Sequence, residues 1–139
     1  MNPLPDGPEL TRELTLSRVA VALATRGYVT RTSGEHVTGT WDGFAFDLSI
    51  QDGILVVEGS WGHVVEEWHR PALLMATNDW NRDHRWPTCV TRPADGGITV
   101  VTRYLVSLAE GLSDEQLLAH LDCALSTGVA FLRALGAPP

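Results

Sequence analysis

The chain has 139 residues, which fits one domain, and its 44% hydrophobic content with a mean hydropathy near zero is ordinary globular composition and argues against disorder. Ten basic side chains stand against 17 acidic ones, for a formal net charge of −7. That field repels nucleic-acid phosphates and anionic lipid, so no nucleic acid and no membrane is expected among the partners.

Residues 1–9 carry three prolines and a glycine and read as a flexible lead-in. They show neither a basic region nor an apolar run, so no signal peptide is expected. No stretch reads as the roughly 18 consecutive apolar residues that a bilayer crossing needs. A cytoplasmic location is the expectation. Cys89 and Cys123 lie far apart and outside any C-x-x-C pattern, and read as small buried hydrophobes.

A first helix is expected from about Leu10 or Thr15 to Arg26, with Leu16, Val19, Ala20 and Leu23 on one face. Thr15 suits its N-cap, and Gly27 suits the left-handed position at its end. Val37, Gly39 and Trp41 then alternate with threonines up to Asp42-Gly43. Phe44, Phe46, Leu48 and Ile50 alternate on the far side of that dipeptide. Asp-Gly between alternating segments predicts a type I′ hairpin, and Asp52-Gly53 predicts a second. Ile54–Trp61 completes an antiparallel meander.

Residues 62–84 read as helical, with Pro71 tolerated in a first turn and Val64–Arg70 as a possible separate turn or helix. Leu73, Ala76, Thr77 and Trp80 share a face. Thr88–Arg92 and Ile98–Leu108 form a hairpin across 93–97. Ser113 and Gln116 spell a capping box for the last helix, whose stripe reads Leu118, Leu121, Leu125, Val129 and Leu132, broadened by Leu117, Ala124 and Phe131. The expected fold class is α+β. It has a single antiparallel sheet of five main strands with helices on one face, in the order α-β-β-β-α-β-β-α. One domain is expected over residues 10–135, with a short tail at 136–139.

The common catalytic signatures are missing: the sequence has no Gly-rich phosphate loop, no nucleophile elbow and no zincin pattern. His63, Glu66, Glu67 and His69 are the nearest approach to a metal site. A helix would bring His63 and Glu67 together, with Asp83 or His84 as a third ligand. Glu66 and Glu67 are better explained by the positive N-terminal end of the following helix. No metal, no cofactor and no catalytic residue is assigned.

Five tryptophans in so short a chain are the unusual feature. Trp41 and Trp80 read as core. Trp61, Trp68 and Trp86 fall at element ends, where part of each ring is expected to reach solvent, and Arg70, Arg82 and Arg85 lie nearby. Exposed Trp and Arg concentrate binding energy at protein interfaces, so these six residues are the candidate partner-binding set.

The string Asn78-Asp79-Trp80-Asn81-Arg82-Asp83-His84-Arg85-Trp86-Pro87 resembles the N-x-W-N-x-x-x-R-W-P stretch of actinobacterial YbjN-like domains, and the run at 111–117 resembles their closing motif. The family is named for bacterial sensory transduction regulation. The resemblance covers roughly residues 10–135. It implies a fold similar to type III secretion chaperones, which are commonly homodimers that bind an extended client segment with no cofactor and no ATP. It implies no catalytic residues. Within the motif, Asn78, Trp80, Asn81 and Pro87 read as structural, Asn81 as a cap for backbone groups near the helix end. The expected function is a non-enzymatic, chaperone-like or regulatory module binding a protein client, homodimeric by that resemblance. The alternative is a small-molecule binder or enzyme using the sheet face or the His63–His69 region.

Overall fold

The structure, a computed structural model, describes residues 13–138. The expected lead-in at 1–9 and the start of the 10–135 domain therefore lie outside the described residues. Helix α1 (Leu16–Thr25) begins where Thr15 accepts a hydrogen bond from the Arg18 N–H at 3.2 Å. It ends at Gly27, whose φ of +82° allows Gly27 and Tyr28 to donate back to Ala24 and Leu23. Val19, Ala22 and Leu23 are its buried face.

Six strands follow in one antiparallel sheet: β1 (Arg31–Ser33), β2 (His36–Trp41), β3 (Phe44–Gln51), β4 (Ile54–Ser60), β5 (Thr88–Ala94) and β6 (Gly97–Ser107). Their spatial order is β1-β2-β3-β4-β6-β5. The Asp-Gly hairpins form as expected, with positive φ at Asp42, Gly43, Asp52 and Gly53. β1 is an edge strand additional to the five main strands read from the sequence. Its three residues are too few to show a period.

The register settles the two faces. Val37 pairs with Leu48, Leu48 with Val57 and Val57 with Tyr104, and all of these face the helices and are buried. One residue along, Arg31, Thr38, Asp47, Glu58 and Arg103 form a rung across the uncovered face.

Residues 62–66 are not helical. Val65 exchanges two backbone hydrogen bonds of 2.9 Å with Ile98. Two causes act here. Val64 and Val65 are β-branched and favour extended backbone. Gly97 leaves room for the bridge, since a Cβ there would lie 1.9 Å from the Val65 carbonyl oxygen. A single turn of 3-10 helix, Glu67–His69, then leads into α2 (Arg70–Asp83), with Pro71 in its first turn.

Helix α3 (Asp114–Leu135) opens on the expected capping box: Gln116 N–H reaches Ser113 Oγ at 3.1 Å, and Ser113 N–H reaches Gln116 Oε1 at 2.9 Å. Its buried stripe is Leu117, Leu121, Ala124, Leu125, Gly128, Phe131 and Leu132. Leu118 and Val129, read as stripe members, are only half-buried. The stripe includes Gly128, where α3 comes so close to Phe46 that a Cβ would lie 2.9 Å from that ring. α3 is long and apolar enough to cross a bilayer, but this stripe is spent on the sheet. Each fully buried Leu or Phe contributes about 1.5–3 kcal/mol.

Candidate protein-binding surface

The six candidate residues do not form one surface. Trp61 is 3% exposed, and its Nε1–H donates to the Gly136 carbonyl at 2.7 Å. The expectation that its ring reaches solvent is corrected: β4 ends by turning Trp61 into the core, where it ties the sheet to the end of α3. Trp86 is half-buried, its ring tilted on Tyr104 at 4.7 Å with the Arg85 guanidinium 5.4 Å above it. Trp68 alone of the five is open to solvent, at 70%. It is held by stacking on His69 at 3.6 Å and by its Nε1–H donating to Glu66 at 2.8 Å.

Trp68 begins an exposed apolar run. Val64 precedes it, and Leu74 and Met75 follow on α2, Met75 at 67% exposure. Helical spacing explains the second half. Leu73, Thr77 and Trp80 turn inward, which sends Pro71, Met75, Asn78 and Arg82 along the opposite line. That line is apolar at its start and polar at its end. Arg70 pairs with Glu67, and Arg82 pairs with Asp79 and Asp83. The hydrogen bond from Arg82 holds the Asp83 carboxyl below its usual range and raises the guanidinium in turn. Met75 and Leu74 were missing from the candidate set, although the wheel that assigns Leu73 and Thr77 to the core already places Met75 outside.

The Asn78–Pro87 string joins α2 to the sheet. Asn81 does not cap the helix end. Its side-chain amide donates to the Cys89 carbonyl and accepts the Cys89 N–H, both at 2.8 Å. One side chain thus satisfies both peptide groups that Cys89 would otherwise present on the free edge of β5. Trp80 stacks on His84 at 3.7 Å, meets Phe131 of α3 edge-on at 5.2 Å and donates to the Trp86 carbonyl at 3.3 Å. Pro87 is buried after a cis peptide bond, and Asn78 is exposed.

The His63–His69 stretch does not assemble the imagined site. With no α-helix from 63 to 67, it separates His63, which lies against the Trp61 ring at 5.1 Å, from Glu67, which pairs with Arg70. Among the described residues no three potential metal ligands cluster. Cys89 is buried, and desolvation pushes its thiol up to about 12, while Cys123 is half-buried; both are free thiols. Burial also pushes the Tyr104 hydroxyl to about 12; it shares a 2.9 Å hydrogen bond with His120. The uncovered sheet face carries Glu58, clamped by Arg92 at 2.6 and 2.9 Å, and its clefts are open to solvent.

Comparison with solved structures finds this fold in several chains, among them the following two. The crystal structure of YbjN, "a putative transcription regulator from E. coli", superposes with a TM-score of 0.76 at 13% identity, over 91% of this chain and 95% of that one. The HopA1-SchA chaperone-effector complex contains a chain matching at a TM-score of 0.54 and 14% identity, over 87% of this chain and 96% of that one. Both likenesses are of fold. No curated protein matches by sequence. The YbjN family model, described as "Putative bacterial sensory transduction regulator", matches residues 15–137, which is nearly all of the described chain, and the protein belongs to the YbjN family.

Proposed function

We propose that the protein is a regulator that binds another protein through the outward face of α2 and its lead-in, and that a second copy of the chain takes this face to form a homodimer. Membership of a family described by regulation and not by a reaction makes this a non-enzymatic protein. The observation that carries the reading is the apolar run from Val64 through Trp68 to Leu74 and Met75, exposed on a chain whose other large side chains are mostly packed away. Trp is enriched at the energetic centres of interfaces, and Met adapts its shape to a partner. The likeness to a chain of a chaperone-effector complex supports protein binding as the role. The free thiols of Cys89 and Cys123 support a reducing compartment, the cytoplasm.

Sedimentation velocity across a concentration series tests the proposal. The wild type is expected to sediment as a dimer, and a Trp68→Ala, Met75→Glu variant as a folded monomer. A wild type that stays monomeric throughout overturns the homodimer. A client captured equally by wild type and variant overturns the assignment of the surface.

A further inference from the structure

The two edges of the sheet are finished differently. At β5, Asn81 occupies the peptide groups of Cys89, and Pro93 has no N–H to offer. At β1 no described residue covers the edge. Ser33 and His36 flank the two-residue loop Gly34-Glu35, with Gly34 at φ +58°, so they form a hydrogen-bonded pair and Arg31 with Thr38 forms the next. Thr32 consequently turns its N–H and C=O away from β2, and so does the C=O of Thr30, which opposes the Arg31 N–H.

The side chains beside this edge are also unusual. Arg31 pairs with Thr38 on the uncovered face, and alternation places Val29 on the same side. Val29 is 92% exposed. Every other arginine among the described residues meets a carboxylate or lies over a ring. Arg31 alone has neither, in a protein with a surplus of acidic side chains. A cleft of about 850 Å³ runs from Val29 and Arg31 inward over Thr38, Thr40, Asp47 and Ser60 of the neighbouring strands.

We propose that the β1 edge receives an extended segment of a partner protein, paired in β fashion to the outward peptide groups of Thr30 and Thr32, with a carboxylate opposite Arg31 and an apolar side chain two residues away against Val29. Main-chain pairing supplies affinity without sequence preference. The free guanidinium selects an acidic residue and rejects a basic one, because opposite charges across a strand pair attract and like charges repel. Such a segment is the complement of this one strand, and it owes nothing to the α2 face.

The test is a nuclear magnetic resonance titration of the full chain with the blocked heptapeptide Thr-Val-Thr-Glu-Thr-Val-Thr and its Glu→Lys counterpart. The Glu peptide is expected to shift the Thr30 and Thr32 amides saturably and to slow hydrogen exchange at Thr32. The Lys peptide is expected to bind about fivefold more weakly, and Arg31→Glu to reverse the preference. A Trp68→Ala, Met75→Glu chain should respond like the wild type, which separates this site from the α2 surface. Shifts confined to α2 or β5, shifts equal for both peptides, or no shift at all would each overturn the proposal.

Discussion

The sheet has a closed end and an open end, and the chain invests very differently in the two. At the β5 end, α2 lies alongside, Asn81 satisfies the buried Cys89 peptide in both directions, and Trp80 and Trp86 anchor the link to Phe131 and Tyr104. At the β1 end three exposed residues finish the sheet, with a free arginine among them. A short edge strand bearing a charge is a common guard against aggregation. Blocking at Cys89 and Pro93 of β5 leaves little for a partner there; the charged β1 edge, open among the described residues, leaves a selective opening.

The largest effect is expected from reopening the closed end. Asn81→Ala removes the donor and the acceptor of Cys89 together and strands two peptide groups beside a residue that is 1% exposed. A buried unsatisfied group costs about 1–3 kcal/mol, so the variant should lose about 2–3 kcal/mol in urea unfolding, and the Cys89 amide should exchange far faster. An unchanged midpoint would mean that water or the chain replaces Asn81 at no cost and that the end is not closed by it.

A second effect comes from pH at the same end. The Cys89 thiol has an ordinary value near 9 and is held at about 12 by burial. Between those values the unfolded chain has lost the proton and the native chain keeps it, so the unfolded state binds fewer protons and stability falls as pH rises. The slope approaches about 1.4 kcal/mol per pH unit above pH ~9 for one such group. Tyr104, held near 12 chiefly by burial, adds to it once pH passes ~10. Urea midpoints at about pH 8 and about pH 10.5 should show the loss, and Cys89→Ala, though less stable, should show a flatter dependence. An equal slope in the variant would assign the loss to Tyr104 alone.

Much of this contrast is legible in the sequence, and its limits have physical causes. Turns and caps act locally, so Asp42-Gly43, Thr15 and the Ser113–Gln116 box could be placed from spacing. The apolar periods of β3 and α3 likewise gave the sheet and its helical cover. Burial of a particular ring is a tertiary outcome, and Trp61 just after a strand is indistinguishable in sequence from Trp68 in the turn before α2. Gly128 carries no apolar side chain, so a hydrophobic period skips the very residue at which α3 comes closest to Phe46. The partner of Asn81 lies on the next strand, and nothing at position 81 names it. β1 is three polar residues, legible only after β2 fixes what lies beside it.

The smallest expected effect on stability sharpens the comparison most. In Thr32→Pro the lost N–H is one that points away from β2, so no hydrogen bond within the sheet is broken. Proline is tolerated on edge strands for this reason. Unfolding should shift by less than about 1 kcal/mol, whereas an added strand loses its donor and collides with the ring. Response to the acidic peptide should therefore disappear from a protein of nearly native stability. If Thr32→Pro unfolds the sheet instead, β1 is a structural part of the core as β5 is, and the two ends do not differ in kind. If it leaves both stability and peptide response intact, the partner does not pair with Thr32, and the open edge is only a guarded one.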